Sequence, residues 1–539
     1  MPKMIKPLKK CGKGGIIKMN KKQYNNVIEN TLKHEQTDDS LATARAIFDN
    51  MGVALPQGDI KTVYETIQTD NYMGWKSCTM QEAQAAADKG IAAIGISEDK
   101  IVVLSANDEE QPVAQTASVM TLDENTSAFA VDGLQYYSYS YGGTTCQGGC
   151  GGGTSTACRK AIIIIPGIMG SELFAGEQIG NFNYGTKLWD PSVNLQADDK
   201  IRKLICNSSG ESIYNIYAGN ENFGAKKTYK RLYQRLSTIF SSTYDIIYFP
   251  YDWRMSCADA AQKLNTYINC SNYDKVILVA HSMGGLVAAN YLAIGSQQRS
   301  KVEKLIALGS PFLGATELIR VYTKGMDLGF LGGLIANDDI KAIMPNIKSV
   351  YELLPTQKWF ELTNKKVFTY TKLYTVPGYE DDGQTFVSQT YNDTKNRLYK
   401  KLSNSNSMLL SLAENMHSNL FINGNYVTNL VDSYYIVGTN LPTVNSITAT
   451  VTGETGAIET MGYPETTNGD GTVATWSANI GSLYPSRTYY ASGREHCGEY
   501  DFDENTIKTE GLVVSENVIQ LIRNIIKNSS SLPSGISRN

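Results

Sequence analysis

Histidine is scarce in this chain: His34, His281, His417 and His496 are the only four in 539 residues. Chemistry that needs an imidazole therefore has few places to sit. No apolar run approaches the roughly 20 residues that a membrane-crossing helix needs. Charge of one sign is also missing: the net charge is −4 and the pI near 5.8, so the electrostatic footprint of a nucleic-acid binder is absent and no nucleic-acid partner is expected. The first 22 residues carry eight lysines and no acid. No apolar core of about 7–15 residues follows them, so a solvated basic tail is expected over 1–22 rather than a secretory signal. With neither signal nor span, the expected location is cytoplasmic or peripheral to a membrane. The nine cysteines (Cys11, Cys78, Cys146, Cys150, Cys158, Cys206, Cys257, Cys270 and Cys497) are odd in number, which leaves a thiol unpaired and points to a reducing compartment. Cys146, Cys150 and Cys158 lack a second ligand cluster or a histidine nearby, so no metal site and no cofactor are expected.

What is present centres on Lys275-Val-Ile-Leu-Val-Ala280-His281-Ser282-Met283-Gly284-Gly285-Leu-Val-Ala-Ala-Asn-Tyr-Leu292. The aliphatic run Val276–Ala280 reads as a buried strand. It turns through small residues into a helical pattern from Met283 to about Leu292. Small residues two before and two after the serine let strand and helix nearly touch, and Ala280 and Gly284 meet that need. A serine on such a turn projects above the sheet at a helix N-terminus, which makes Ser282 the expected nucleophile.

The rest of the chain supplies a scaffold. Residues 23–140 read as a small α+β unit, with helical patterns at Asn25–His34, Leu41–Met51 and Met80–Lys89. Strands are expected there at Ile91–Ile96, Ile101–Ser105, Ala128–Val131 and Leu134–Ser140. Residues 141–158 are a Gly/Cys-rich linker by composition. Residues 159–530 alternate strands and helices, the pattern of a mostly parallel sheet flanked by helices: strands at Ala161–Ile165, Asp245–Phe249, Val276–Ala280, Lys304–Leu308 and Tyr434–Val437, with a helix at Ala258–Cys270. Within about 315–430 the alternation breaks, and a cap or lid is expected there, including the apolar segment Met326–Ile335. Residues 531–539 read as a tail.

A serine hydroxyl needs a base, and the imidazolium so formed needs an oriented acid. His34 precedes the linker. His281, by strand alternation, should point away from Ser282. His417 falls in a helical pattern over Met408–Leu420. His496 lies in the Gly-bounded loop Ala491-Ser-Gly493-Arg-Glu-His496-Cys-Gly498, near the C-terminal end, and is the preferred base; His417 is the alternative. In this type of fold the acid falls between serine and histidine in chain order. Asp470, in the turn Asn468-Gly-Asp470-Gly-Thr472-Val473, is the preferred acid and Asp432 the alternative. Two backbone N–H groups must face the developing oxyanion. Met283, directly after the serine, and Ile168, in Pro166-Gly-Ile168-Met-Gly170 after the first strand of the sheet, are expected to supply them.

Pro166-Gly-Ile-Met-Gly-Ser171-Glu-Leu173, Leu188-Trp189, Tyr251-Asp-Trp-Arg254, Ala280-His-Ser-Met-Gly-Gly285, Gly309-Ser-Pro-Phe-Leu-Gly314, Ser349-Val-Tyr-Glu-Leu-Leu-Pro355, Gly469-Asp-Gly-Thr-Val473 and Glu495-His496 occur in that order. Over residues 160 to 500 the chain resembles the lecithin:cholesterol acyltransferase family, which includes the lysosomal phospholipase and the phospholipid:diacylglycerol acyltransferases. The resemblance implies an α/β-hydrolase core with cap and lid, acyl transfer from a glycerophospholipid to water or an alcohol, a triad of Ser282, Asp470 and His496, and oxyanion donors Ile168 and Met283. Tyr251–Arg254 is expected to be structural. Ala280 replaces the usual glycine, and Ile168 replaces the acidic residue of the lysosomal phospholipase. No paired-cysteine loop follows Leu188-Trp189, where Cys206 stands alone. In the N-terminal unit, Gly74-Trp75-Lys-Ser-Cys78-Thr-Met-Gln-Glu82-Ala-Gln84 and Gly90-Ile-Ala-Ala-Ile resemble bacterial papain-like cell-wall amidase domains. The matching helix start near 40–44 has no cysteine and the strand from Lys100 no histidine, so that unit is expected to be catalytically silent.

The expected partner is thus a lipid ester at a membrane or lipid surface, handled by a serine acyl hydrolase or O-acyltransferase. The alternatives are an esterase or triglyceride lipase on the same triad, and a binding protein with a relic hydrolase domain.

Overall fold

The computed structural model describes residues 159–538 apart from 191–196, 220–221, 272, 326–336, 374–384 and 453–456. In the N-terminal part it describes positions scattered through 41–60, then 61–68, 75–87, 92–104 and 135–139. The basic tail, the linker, His34, the helix expected at Asn25–His34, the strand at Ala128–Val131 and the apolar segment Met326–Ile335 lie outside the described residues. The chain divides into two compact units between Thr154 and Ser155.

The N-terminal unit holds a four-stranded antiparallel sheet, ordered Trp75–Cys78, Gln135–Tyr139, Ala93–Ile96, Ile101–Val103. The helix Met80–Ala87 starts at a reciprocal cap, in which Thr79 N–H donates to Glu82 (2.8 Å) and Glu82 N–H to Thr79 Oγ1 (3.2 Å). The strand Trp75–Cys78 carries no strong sequence signal. The helix Ile60–Gln68, not among the expected elements, sets Ile60, Val63 and Ile67 on one helical face and starts at Asp59, whose side chain accepts Thr62 N–H at 2.8 Å. Both pack into one cluster that buries Val63, Ile67, Phe48 and Trp75.

In the second unit, seven strands form one sheet: β1 (Lys160–Ile165), β2 (Asp245–Tyr248), β3 (Lys275–His281), β4 (Val302–Leu308), β5 (Ser433–Thr439), β6 (Thr488–Ser492) and β7 (Ile536–Ser537). Their spatial order is β7-β6-β5-β4-β3-β1-β2, all parallel except the edge pair β6–β7. Ile536–Ser537, expected as tail, therefore closes the sheet edge. The central strands are apolar on both faces because helices cover both. On one face Ile162, Ile164, Ile277, Val279, Ile306 and Leu308 meet α1 (Lys230–Phe240) through Leu232, Leu236 and Phe240. Spaced four apart, these three occupy one helical stripe. The helices α2 (Cys257–Cys270) and α3 (Gly284–Ile294) pack on one another. Ser256 caps α2, accepting Ala258 N–H at 3.1 Å. Residues Gly284–Leu292 of α3 are buried all round. Each fully buried aliphatic side chain here contributes about 1.5–3 kcal/mol.

Between β4 and β5 the chain leaves the sheet for several helices, among them α4 (Ser407–Ser418), and for strands Phe368–Leu373 and Thr385–Val387. This cap sheet is completed by Ile447–Thr452 and Ala457–Gly462, from beyond β5. The excursion expected within about 315–430 thus draws its sheet partners from a second insertion, since a strand's partners come from tertiary pairing that local pattern does not specify.

Candidate active site

Ser282 follows β3 and precedes α3, and its backbone lies in the left-handed region at φ 53°. A non-glycine residue there costs about 1–3 kcal/mol, held by the surrounding structure. The sharp turn needs space. A Cβ on Gly284 would meet the backbone oxygens of Ile165 and Pro166, the latter at 2.7 Å, and one on Gly285 would overlap Ser310. Ser282 is buried, and its N–H donates to Leu308 O on β4 at 2.9 Å.

The loop after β1 runs against the serine. An added Cβ on Gly167 would stand 3.1 Å from Ser282 Oγ. That loop is pinned by side chains of the ordered motifs. Tyr251 Oη donates to Pro166 O (2.7 Å), Trp189 Nε1 to Met169 O (2.7 Å) and Tyr248 Oη to Gly170 O (3.1 Å). Gly167 N–H donates to Tyr229 Oη at 2.8 Å. Among the described residues, the N–H groups of Ile168 and Met283 meet no protein acceptor. Two donors expected to face an oxyanion are thus left available beside the serine.

Asp470 is not a solvated turn residue. It is 2% exposed, and its Oδ1 accepts Thr472 N–H (3.0 Å) and Val473 N–H (2.7 Å). Its Oδ2 accepts His496 Nδ1–H at 2.8 Å. A carboxylate only accepts, so the Nδ1 proton leaves Nε2 as the basic nitrogen. His496 Nε2 is buried and makes no hydrogen bond, the Ser282 hydroxyl included. Glycines make room for the pair: a Cβ on Gly309 would lie 2.8 Å from Asp470 Oδ2 and 3.2 Å from His496 Nδ1.

The alternatives lie elsewhere. Asp432 pairs with Lys304 Nζ at 2.7 Å with its side chain 39% exposed. His417 Nε2 donates to Glu352 O at 2.6 Å, and burial lowers the ring's pKa to about 4. His281, expected to point away from Ser282, sets its ring beside that of His496. Its ring centroid is 4.7 Å from that of His496, and Nε2 bonds His496 O at 2.8 Å. Sequence reasoning did not find Tyr229, whose hydroxyl reaches His281 Nδ1 at 2.8 Å. No motif signal marks it.

Tyr251–Arg254 acts as scaffold. Arg254, fully buried, grips Asp252 with two bonds of 2.9 and 2.6 Å and donates to Leu204 O at 3.0 Å. Ser349 Oγ donates to Trp253 O (2.6 Å), and Glu352 accepts Cys257 N–H (2.8 Å) at the start of α2. Cys206 is a free, buried thiol pushed up to about 11 by desolvation. Among the described residues, no group of three metal-ligating side chains gathers and no helix is long and apolar enough to cross a membrane.

The family model for lecithin:cholesterol acyltransferase matches residues 188–482, just over half of the chain. The chain belongs to the lecithin:cholesterol acyltransferase family. A curated relative, lecithin-cholesterol acyltransferase-like 4 of Arabidopsis thaliana, is 25% identical over 234 residues. That match covers 37% of this chain and 44% of the relative, so it spans less than half of the relative's length. Among solved structures, a Tle4–Tli4 complex is 15% identical, with TM-score 0.43, over 69% of this chain and 99% of that one. A hydrolase assigned to the cell surface of Lactobacillus plantarum WCFS1 is 12% identical, with TM-score 0.20, over 70% and 94%. The order, direction and register of β1–β7 make this member of the family an α/β-hydrolase.

Proposed function

We propose that the chain is a serine-dependent lipid acyl hydrolase or O-acyltransferase, with Ser282 as nucleophile, His496 as base and Asp470 as the acid that orients it. The observation that carries this reading is the 2.8 Å bond between buried Asp470 and His496 Nδ1, which leaves Nε2 as the free, basic nitrogen. Closure of the Ser282–His496 bond belongs to the substrate-bound state, where such bonds tighten.

Ser282 Oγ attacks the ester carbonyl carbon and its proton passes to His496 Nε2. The carbonyl electrons move onto oxygen, held by the N–H groups of Ile168 and Met283. Collapse expels the alcohol, which leaves with the proton from His496, and the acyl group stays on Ser282. Water or an acceptor alcohol then gives its proton to His496 and takes the acyl group; as the bond to Ser282 Oγ breaks, His496 returns that proton to the serine. Glycerophospholipid is the proposed donor, drawn from family membership. In the N-terminal unit burial raises the Cys78 thiol, the reverse of nucleophile activation.

Acyl release from phospholipid vesicles, with and without a long-chain alcohol or sterol, tests the reading on wild type and Ser282→Ala. Vesicle activity lost in the variant, with new ester on the alcohol, supports acyl transfer. Serine-dependent cleavage of short soluble esters alone supports the esterase alternative. Equal activity of both proteins on every ester would sink the catalytic assignment.

A further inference from the structure

We infer that Tyr229 and His281 are positioning residues for this acyl-transfer site, joining the oxyanion loop to the loop that carries the base through one directed chain of buried hydrogen bonds. The inference rests on the assignment of Ser282 and His496 above. Three contacts make the chain: Gly167 N to Tyr229 Oη, Tyr229 Oη to His281 Nδ1, and His281 Nε2 to His496 O, each 2.8 Å. They link segments far apart in sequence, and Tyr229 and His281 are each 1% exposed.

The proton directions follow from the atoms. The His496 carbonyl can only accept, so His281 Nε2 carries a proton. In a neutral ring Nδ1 is then an acceptor, and Tyr229 Oη–H donates to it. The same hydroxyl oxygen accepts the Gly167 N–H. The ring is held neutral by burial and by the proximity of His496, which both lower its basicity well below the ordinary range. That neutrality suits the reaction: the imidazolium formed at His496 has no second cation 4.7 Å away.

Each end of the chain fixes a different catalytic element. Gly167 is held at its N–H by Tyr229 and at its C=O by Gly170 N–H (3.1 Å), which orients the peptide whose N–H belongs to Ile168. His496 is held at its carbonyl by His281 and at its ring by Asp470. Two anchors on one residue restrict both backbone and ring, and misplacement of a base by about 1 Å costs on the order of a hundredfold in rate. Tyr229 Oη spends its proton and a lone pair inside the chain. It therefore positions and takes no direct part in proton transfer.

Substitutions separate the two ends. Glutamine places an amide N–H near the position of His281 Nε2, whereas asparagine reaches only as far as Nδ1. The experiment uses the full chain as wild type, Tyr229→Phe, His281→Asn, His281→Gln and Ser282→Ala. Reactive serine is counted with a fluorophosphonate, and kcat and KM for a p-nitrophenyl acyl ester are expressed per titrated site. His281→Asn and Tyr229→Phe are expected to lower kcat about tenfold or more, with KM within about twofold, and His281→Gln to recover to within about threefold of wild type. A purely structural role would reduce the titrated fraction and Tm while leaving kcat per site unchanged, which would overturn the inference. So would a glutamine variant no better than the asparagine one. Wild type that shows no Ser282-dependent labelling would instead overturn the catalytic assignment itself.

Discussion

Asp470→Asn is the sharpest perturbation of the proposed triad, because the surrounding bonds dictate how the new amide must sit. Asp470 Oδ1 accepts two backbone N–H groups, from Thr472 and Val473. In the variant the amide oxygen must keep that place, since an NH2 there would face two donors. The NH2 then faces His496 Nδ1 across the present 2.8 Å contact. It donates, so Nδ1 becomes the acceptor and the ring proton moves to Nε2, where the Ser282 proton should go. The carboxylate charge beside the forming imidazolium is lost as well. Wrong tautomer and lost charge together cost about ten-thousandfold in kcat in a Ser-His-Asp system, or about 5 kcal/mol at the barrier. The fold should be nearly unaffected, because every other bond of the turn is retained. The assay is steady-state hydrolysis of a soluble acyl ester beside thermal unfolding, with Asp432→Asn as control. Asp432 pairs with Lys304 rather than with the proposed triad, so the control should keep kcat within about twofold. An Asp470→Asn protein that is folded and retains more than about a tenth of wild-type kcat would refute the assignment.

Gly284→Ala should destabilise the fold by about 1–3 kcal/mol and depress activity, since its Cβ would run into the main-chain oxygens of Ile165 and Pro166, which cannot swing aside. Gly295→Ala meets only the side-chain oxygen of Gln298 at 3.1 Å, with no backbone in its way, and should cost much less; equal losses of Tm in the two variants would contradict the packing at the elbow. His417 predicts a pH effect on stability. Its folded pKa of about 4 lies below the ordinary 6.5, so the unfolded chain binds the proton first and stability falls as pH drops from about 6.5 to 4. The slope is at most about 1.4 kcal/mol per pH unit, and the total on the order of 3 kcal/mol. His417→Gln keeps a donor for Glu352 O and should flatten urea midpoints across that window; parallel profiles for the two proteins would count against a buried neutral histidine.

The parallel sheet was legible because its strands are continuous aliphatic runs, and a run such as Ile162–Ile165 has few other stable fates. Ser282 was legible for a related reason: a serine between a buried strand and Gly284-Gly285 must sit on a tight turn. Scarcity made His496 the candidate base, since four histidines leave little to choose from. Other features had no local trace. The strand Trp75–Cys78 exists through the cluster it shares with Phe48, and the cap sheet pairs Phe368–Leu373 with Ile447–Thr452 across the whole of β5.

By itself, the sequence named the candidates for acyl chemistry: one serine at an elbow, a handful of imidazoles, an aspartate between glycines, and a chain of motifs belonging to one lipid acyltransferase family. Those are statements about side-chain type and near neighbours, which the local pattern encodes. Only the tertiary structure decided that Asp470 is buried against His496 while Asp432 pairs with Lys304. Only it brought Tyr229, His281 and the His496 carbonyl into line. Hydrogen-bond partners from separate segments are chosen by how the sheet and its loops pack in three dimensions, and no spacing along the chain records that choice.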